Sequence, residues 1–236
     1  MTENETDLSI ETMCNDVQAV LKAMYGDSLP AIVLVGHSMG GSVAVHVAAK
    51  KALPSLAGLV VVDVVEGTAM ASLMHMQKIL SGRTHHFSSI ELEKAIESTV
   101  KGGSLRNFES ARVSVPTTLK YYDSKKCYIY RARLARLEET EQYWKSWYEG
   151  LSEKFLSSPV PKLLLLAGTD RLDRTLTIGQ MQGKFQMVVV RYTGHAIQED
   201  VPDEFASLII NFISYNRIGP HGVEIPGLRR PSQPTP

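Results

Sequence analysis

A serine framed by glycines after an apolar run constrains this chain more than any other feature. The apolar residues 31–35 are followed by Gly36-His37-Ser38-Met39-Gly40, and residues 41–51 continue with the spacing of a helix. A serine hydroxyl can attack a carbonyl from a sharp strand-to-helix turn, which holds the serine in a strained backbone conformation. The pattern therefore predicts a buried strand, a turn carrying Ser38 and a helix.

The residues around this turn have expected roles of their own. We expect glycine at positions 36 and 40 because side chains two residues to either side of the serine would collide across the turn. The first amides of the following helix point toward the serine. The main-chain N–H of Met39 is therefore a candidate donor to an oxyanion.

Composition limits the possible size and partners of the protein. With 236 residues, 44% of them hydrophobic, the chain can hold one sizeable core, or a core with an inserted cap. The 25 basic and 25 acidic residues give zero net charge. This balance offers no electrostatic footprint for nucleic acid or an anionic membrane, and we expect neither as a partner.

The two cysteines and the first residues bear on compartment and metal content. Cys14 and Cys127 lie far apart, without metal-ligand spacing or a disulfide framework. We therefore expect no metal and a reducing compartment, the cytoplasm or the nucleus. The acidic and polar start does not resemble a signal peptide, and no apolar run approaches membrane-spanning length.

The apolar pattern predicts an α/β fold with a mostly parallel sheet. Residues 9–24 repeat apolar side chains at helical spacing, and a last helix begins near Val201. Further strands are predicted at residues 59–62, 162–167 and 187–190. Residues 59–62 are too continuously apolar to have a wet face, which is typical of parallel strands covered by helices on both sides.

The middle of the chain, from about residue 69 to 155, predicts a helical cap within a single domain spanning residues 1–218. Strand patterns are absent there, residues 88–91 have the spacing of a capping box, and tyrosine and tryptophan are frequent. These aromatic residues either pack the cap helices or line a groove for substrate. The Pro-, Gly- and Arg-rich residues 219–236 have no period and are predicted to be a mobile tail.

A serine followed by an acid and then a histidine is the chain order of the α/β-hydrolase triad. His195 follows the last predicted strand and Gly194, which suits a general base, whereas His37 is expected to shape the turn. The acid stays open on spacing alone. Most hydrolases of this fold would place it at Asp170, with Asp173 a weaker choice, but Asp63 at the end of the preceding strand can also reach the histidine.

Several blocks of sequence resemble the eukaryotic protein phosphatase methylesterases, which are serine esterases of the α/β-hydrolase superfamily. The blocks are residues 32–41, 63–70, 107–114, 161–168 and 176–187. In that family the serine of the turn, the aspartate of Asp-Val-Val-Glu-Gly and the late Gly-His histidine form the triad. The resemblance therefore implies Ser38, Asp63 and His195.

This resemblance implies a function and a mechanism. The family removes the methyl ester from the C-terminal leucine of the catalytic subunit of type 2A serine/threonine phosphatases, which would be the partner. Ser38 would attack the ester, His195 would take its proton and Asp63 would orient the imidazole. The chemistry calls for no cofactor and no metal.

The chain also departs from that family at its N-terminal side. Family members carry first sheet strands and a His-Gly-Gly loop that completes the oxyanion hole, whereas this chain begins just before the helix preceding the turn. We therefore expect the N-terminal strands to be missing, and one lost oxyanion donor would cost about 3 kcal/mol. Two alternatives follow: a catalytically weak phosphatase-binding protein, or a small-molecule esterase of the same fold.

Overall fold

The computed structural model describes residues 7–81, 91–124, 126–130, 141–168 and 172–223. Its helices are α1 (Ile10–Tyr25), α2 (Met39–Ala49), α3 (Glu66–Ser81), α4 (Glu91–Lys101), α5 (Phe108–Thr117), α6 (Glu141–Tyr148), α7 (Leu151–Ser157), α8 (Arg174–Met181), α9 (Ile197–Asp200) and α10 (Pro202–Tyr215). Its strands are β1 (Ile32–His37), β2 (Leu56–Val62), β3 (Leu119–Tyr122), β4 (Cys127–Tyr130), β5 (Lys162–Leu166), β6 (Gln186–Val189), β7 (Ile218–Gly219) and β8 (Gly222–Val223).

The main sheet has the strand order β1-β2-β5-β6, and each neighbouring pair is parallel. These strands correspond to the four apolar runs in the sequence, so the predicted parallel sheet is confirmed. The carboxyl ends of parallel strands meet at one edge of a sheet, where open α/β folds place their sites. Ser38 and Asp63 directly follow β1 and β2 at that edge.

Helices cover both faces of this sheet. One face presents Leu59, Val61, Leu164 and Leu166 to α2, α6 and α7. Side chains of the opposite face pack against Phe212 of α10 and its neighbours; they are Val60, Val62, Leu163 and Leu165. Alternate residues of one strand point to opposite faces, so continuous apolar runs follow directly from burial on both sides.

The first helix agrees closely with its predicted range. Its N-cap is Ser9, whose side-chain oxygen accepts a hydrogen bond from the amide of Thr12. The apolar side of α1 buries Cys14 against Val43 and Val47 of α2. The amphipathic spacing of α1 therefore arises from its packing against α2, the helix that follows Ser38.

The middle segment differs from the helical cap expected for residues 69–155. Helices α4 and α5 form a separate apolar cluster, but Leu119 of β3 belongs to it, and β3 pairs with β4 as an antiparallel hairpin. The expectation of a strand-free cap was wrong. Tyr121 and Tyr128 lie opposite each other, with ring centroids 5.0 Å apart, and such cross-strand aromatic pairs stabilise short strands.

The last part of the segment packs on the main core rather than standing apart from it. Trp144, Trp147 and Tyr148 of α6 are buried in the cluster that contains α2 and the sheet. The indole N–H of Trp147 also donates to the main-chain oxygen of Leu8, at 2.8 Å. For these three residues the packing interpretation of the aromatic side chains is the one the structure supports.

Regular structure continues past the boundary expected at residue 218. Strands β7 and β8 form a short hairpin, and the Pro220 oxygen accepts a hydrogen bond from Ala31, just before β1. Residues 224–236 of the predicted tail and the capping box at residues 88–90 lie outside the described residues. Among the helices described, none combines the length and the apolar character that crossing a membrane requires.

Candidate active site

Ser38 lies on a strained turn between β1 and α2. Its backbone has φ 53° and ψ −125°, a conformation that few residues other than glycine adopt. The Ser38 amide donates to the Val62 oxygen at 3.0 Å, and its carbonyl accepts from Gly41 at 2.9 Å. Hydrogen bonds to a neighbouring strand and to the helix thus hold the serine in this conformation.

Close packing explains two glycines near the turn, Gly36 and Gly41, whereas the sequence predicted Gly36 and Gly40. A Cβ at Gly36 would lie 2.3 Å from the Gly40 oxygen, which confirms the requirement there. A Cβ at Gly40 would meet nothing within 4 Å, so the predicted collision at that residue was wrong. The packed glycine on the helix side is Gly41, whose Cβ would lie 2.7 Å from a methyl group of Val64.

Met39 is the first residue of α2, directly after the serine. The first amides of a helix have no acceptor within the helix, and they carry the positive end of its dipole. The Met39 amide is one of these first amides and directly follows the serine. Its assignment as an oxyanion donor stays a prediction.

Asp63 follows β2 and points its carboxylate at His195. The Asp63 Oδ2 lies 2.7 Å from Nδ1 of His195, and Oδ1 accepts a hydrogen bond from the Ala167 amide at 3.0 Å. The Asp63 side chain is fully buried, and its φ is 52°. A buried carboxylate held by two directed contacts can fix the orientation of an imidazole.

Of the two other acids considered from the sequence, the structure describes only Asp173. Asp170 lies outside the described residues. Asp173 caps α8, where its Oδ1 accepts from the Leu176 amide at 2.8 Å, and its Oδ2 accepts a hydrogen bond from Ser152. Of Asp63 and Asp173, only Asp63 is hydrogen-bonded to His195 in the structure.

His195 lies in the loop between β6 and α9, and its side chain is 38% exposed. Because its Nδ1 faces a carboxylate, that nitrogen is the proton donor, and Nε2 carries the lone pair of the neutral ring. A neutral imidazole in this tautomer can accept a proton from a serine hydroxyl.

His37, directly before the serine, contacts the loop of His195. Its Nε2 donates to the main-chain oxygen of His195 at 2.9 Å, and the two ring centroids are 4.6 Å apart. Burial, and then the charge of His195, lower the pKa of His37. The lowered pKa favours the neutral form of His37, whose contact joins the serine turn to the histidine loop.

An open cavity of about 330 Å³ adjoins His195. It lies between the end of β5, the histidine loop and the segment that joins α4 to α5. Its lining residues are Gly102, Gly103, Ser104, Arg106, Ala167, Gly168, Thr193, Gly194 and His195. The cavity gives a ligand access to the histidine from the side of the middle segment.

The sequence analysis overlooked Asp200. This buried carboxylate accepts hydrogen bonds from the amides of Gly194, Arg106 and Asn107. An acid one helical turn after a Gly-His pair was the available signal, but its partners at residues 106 and 107 are remote in sequence. In the described ranges, no three or more His, Cys, Asp or Glu side chains converge to hold a metal ion.

Comparison with known proteins identifies the family of the chain. A family model described as "Alpha/beta hydrolase family" matches residues 5–208. The chain belongs to the alpha/beta hydrolase family. Two solved structures share the fold at under 20% identity: E-2-(acetamidomethylene)succinate hydrolase, with a TM-score of 0.70 over 90% of this chain and 76% of that one, and an esterase of M. tuberculosis, with a TM-score of 0.66 over 90% and 71%.

Much closer relatives in sequence have a more specific name. Protein phosphatase methylesterase 1 of Homo sapiens is 46% identical over 91% of this chain, and that of Schizosaccharomyces pombe is 43% identical over 91%. The probable protein phosphatase methylesterase 1 of Caenorhabditis elegans is 46% identical over the same share. The chain spans 65%, 62% and 58% of these three relatives respectively.

Proposed function

We propose that this alpha/beta hydrolase is a serine carboxylesterase that removes the methyl ester from the C-terminal leucine of the type 2A phosphatase catalytic subunit. The observation that carries the proposal is the 2.7 Å contact between Asp63 and His195 at the sheet edge that also holds Ser38. The choice of substrate is supported by 46% identity to methylesterases over 91% of the chain.

The first half of the reaction forms an acyl-enzyme. Nε2 of His195 takes the hydroxyl proton of Ser38 as Oγ attacks the ester carbonyl carbon, and Asp63 stabilises the resulting imidazolium. The carbonyl oxygen becomes an oxyanion near the N-terminus of α2, where the Met39 amide can donate to it. The C–O bond to the methoxy group then breaks, and methanol leaves with the proton from His195.

The second half restores the enzyme. His195 takes a proton from water, and the resulting hydroxide attacks the acyl carbon bound to Ser38. The bond to Oγ breaks, the serine regains its proton from His195, and the free carboxylate of the leucine is released. In the net reaction, the methyl ester and water are converted to the carboxylic acid and methanol.

The partner and the compartment belong to the same proposal. The phosphatase tail would enter beside His195, where the cavity of about 330 Å³ is open. Cys14 and Cys127 are free thiols in the structure. A chain with unpaired cysteines suits a reducing compartment, and we place this activity in the cytoplasm or nucleus, where such thiols persist.

The test is methanol release from the methylated phosphatase catalytic subunit by the purified full chain. We expect release by the wild type and its loss, by a factor of 10³ or more, in Ser38→Ala. His75→Ala is the matched control, because His75 is exposed on α3 and takes part in none of the described contacts of the triad; it should leave the rate within twofold.

Two results would contradict the proposal. Binding of the phosphatase without methanol release would identify a binding protein. Faster hydrolysis of short acyl esters than of the methylated phosphatase, judged by kcat/KM, would identify an esterase of small molecules.

A further inference from the structure

The loop that carries His195 is held by a second buried carboxylate, that of Asp200. Asp200 is the last residue of α9 and is 9% exposed. Its amide donates a hydrogen bond to the Ala196 oxygen at 3.0 Å, which closes one helical turn. Its Oδ2 accepts the amide of Gly194 at 2.5 Å. The residue directly before His195 is therefore fixed by a charge-assisted hydrogen bond.

The other oxygen of Asp200 holds a segment almost a hundred residues earlier. Its Oδ1 accepts the amides of Arg106 and Asn107, at 2.6 and 2.7 Å. The side-chain amide of Asn107 returns a hydrogen bond to the Asp200 main-chain oxygen at 3.2 Å. Three N–H groups satisfy this buried carboxylate, which otherwise would be costly to remove from water.

The same segment presses against both neighbours of His195. A Cβ at Gly194 would lie 2.4 Å from the Gly103 oxygen, so only glycine fits there. On the other side, the Ala196 amide donates to the Ser104 oxygen at 2.9 Å. The backbone on either side of the histidine is thus set by the segment before α5.

We propose that Asp200 is a positioning residue for His195, an inference that rests on the proposed esterase function. Asp200 touches no reacting atom. It fixes the Gly194 amide, and with it the main chain from which the imidazole reaches Asp63. Because a displacement of about 1 Å in a reacting group can cost a factor of 10², this support acts on rate.

Asparagine is the informative replacement at this position. It has nearly the same size, but only one acceptor oxygen where the structure uses two. Whichever way the amide turns, its NH₂ group faces an N–H donor of Gly194 or of the segment at residues 106 and 107. Asp200→Asn therefore breaks the bridge without removing side-chain volume.

The experiment compares Asp200→Asn with wild type and with Asp203→Asn, a control at an exposed acid in the first turn of α10. The first readout is the rate at which a fluorophosphonate labels Ser38. The second is the downfield proton resonance of the His195 Nδ1–H, assigned by its loss in Asp63→Asn. Only a change in the histidine–aspartate contact moves that resonance, so it separates positioning from general stability.

We expect Asp200→Asn to slow labelling at least tenfold and to shift the resonance upfield in folded protein, with Asp203→Asn within twofold of wild type. An unchanged rate and resonance in folded Asp200→Asn would overturn the proposal. If that variant does not fold, hydrogen exchange on wild-type protein decides: protection of the Gly194 amide supports the bridge, and free exchange overturns it. Wild type that is labelled but releases no methanol would overturn the proposed substrate alone.

Discussion

At the residue scale, the described acid that faces His195 is Asp63. Its two oxygens have separate partners, Nδ1 of His195 and the Ala167 amide. Asp173 has the role of a helix cap instead. The two carboxylates can therefore be told apart by what their loss does.

Asp63→Asn should lower kcat for ester hydrolysis by roughly 10³–10⁴-fold, because an amide NH₂ facing Nδ1 favours the wrong tautomer of the imidazole. Steady-state hydrolysis of a chromogenic ester measures this. Asp173→Asn is the matched control. It should keep kcat within a few-fold, and because asparagine caps a helix about as well as aspartate, it should change the free energy of unfolding by less than about 1 kcal/mol.

His46 is expected to make the free energy of unfolding depend on pH. Burial, and then the nearby charge of Lys154, lower its pKa from 6.5 to about 4. The unfolded state therefore takes up a proton before the folded state does, and His46 lowers the free energy of unfolding as pH falls from about 6.5 to about 4. Above pH 6.5 this effect is absent.

Denaturant unfolding of wild type and His46→Gln across this range is the measurement. The stability of wild type relative to the variant should decline as pH falls from 6.5 to 4. Parallel pH profiles for the two proteins would show that His46 does not titrate differently in the folded and unfolded states.

At the scale of secondary-structure elements, the strand-turn-helix unit around Ser38 depends on backbone proximity. Gly36 faces the Gly40 oxygen at a distance that admits no side chain, whereas Gly40 itself faces open space. Two alanine substitutions in one motif should therefore have opposite outcomes.

Gly36→Ala should destabilise the protein by about 2–4 kcal/mol, because strand or helix must move apart to admit the methyl group. Gly40→Ala should be neutral or stabilising by up to about 1 kcal/mol, since alanine favours the helix. Urea unfolding of both variants tests this. Equal destabilisation would mean that the turn is packed differently.

Elements also show where sequence reasoning was sufficient and where it was not. The strands of the main sheet were predictable because burial on both faces leaves runs such as Leu59-Val60-Val61-Val62 with no polar interruption. The β3–β4 hairpin was missed because Leu119–Tyr122 has only four residues, and three of them are exposed. Such a segment carries no apolar run that would predict a strand.

The residues of the candidate site also differ in how far the sequence alone predicts them. Ser38 was predictable from a local motif, and His195 from its place after the last strand. The choice of Asp63 needed a resemblance, since spacing allowed Asp170 as well. Asp200 was beyond reach because its partners at Arg106 and Asn107 come from a loop whose path depends on the packing of α4 and α5.

At the scale of the whole molecule, packing in the sheet core fixes the relative positions of the strands that carry the site. Leu165 of β5 lies between Val62 and Val188 on the neighbouring strands, and its side chain is fully buried. Strands β2 and β5 carry Asp63 and Ala167 at their ends. Loss of packing between them would therefore loosen the aspartate as well as the core.

Leu165→Ala should lower the free energy of unfolding by about 2–5 kcal/mol, through lost burial and the cavity it leaves. Ile210→Ala, on the exposed side of α10 at 61% exposure, should change it by no more than about 0.5 kcal/mol. Calorimetry of both variants tests the assignment of inside and outside. A larger effect at Ile210 would place that face of α10 in an interface.

The most direct measurement is identification of the residue that a fluorophosphonate modifies in the purified full chain, by peptide mass mapping. A strained serine beside the Asp63–His195 pair should be modified at Ser38 in wild type and at no residue in Ser38→Ala. Absence of modification in folded wild-type protein, or modification of another serine, would contradict the assignment of Ser38 as the nucleophile.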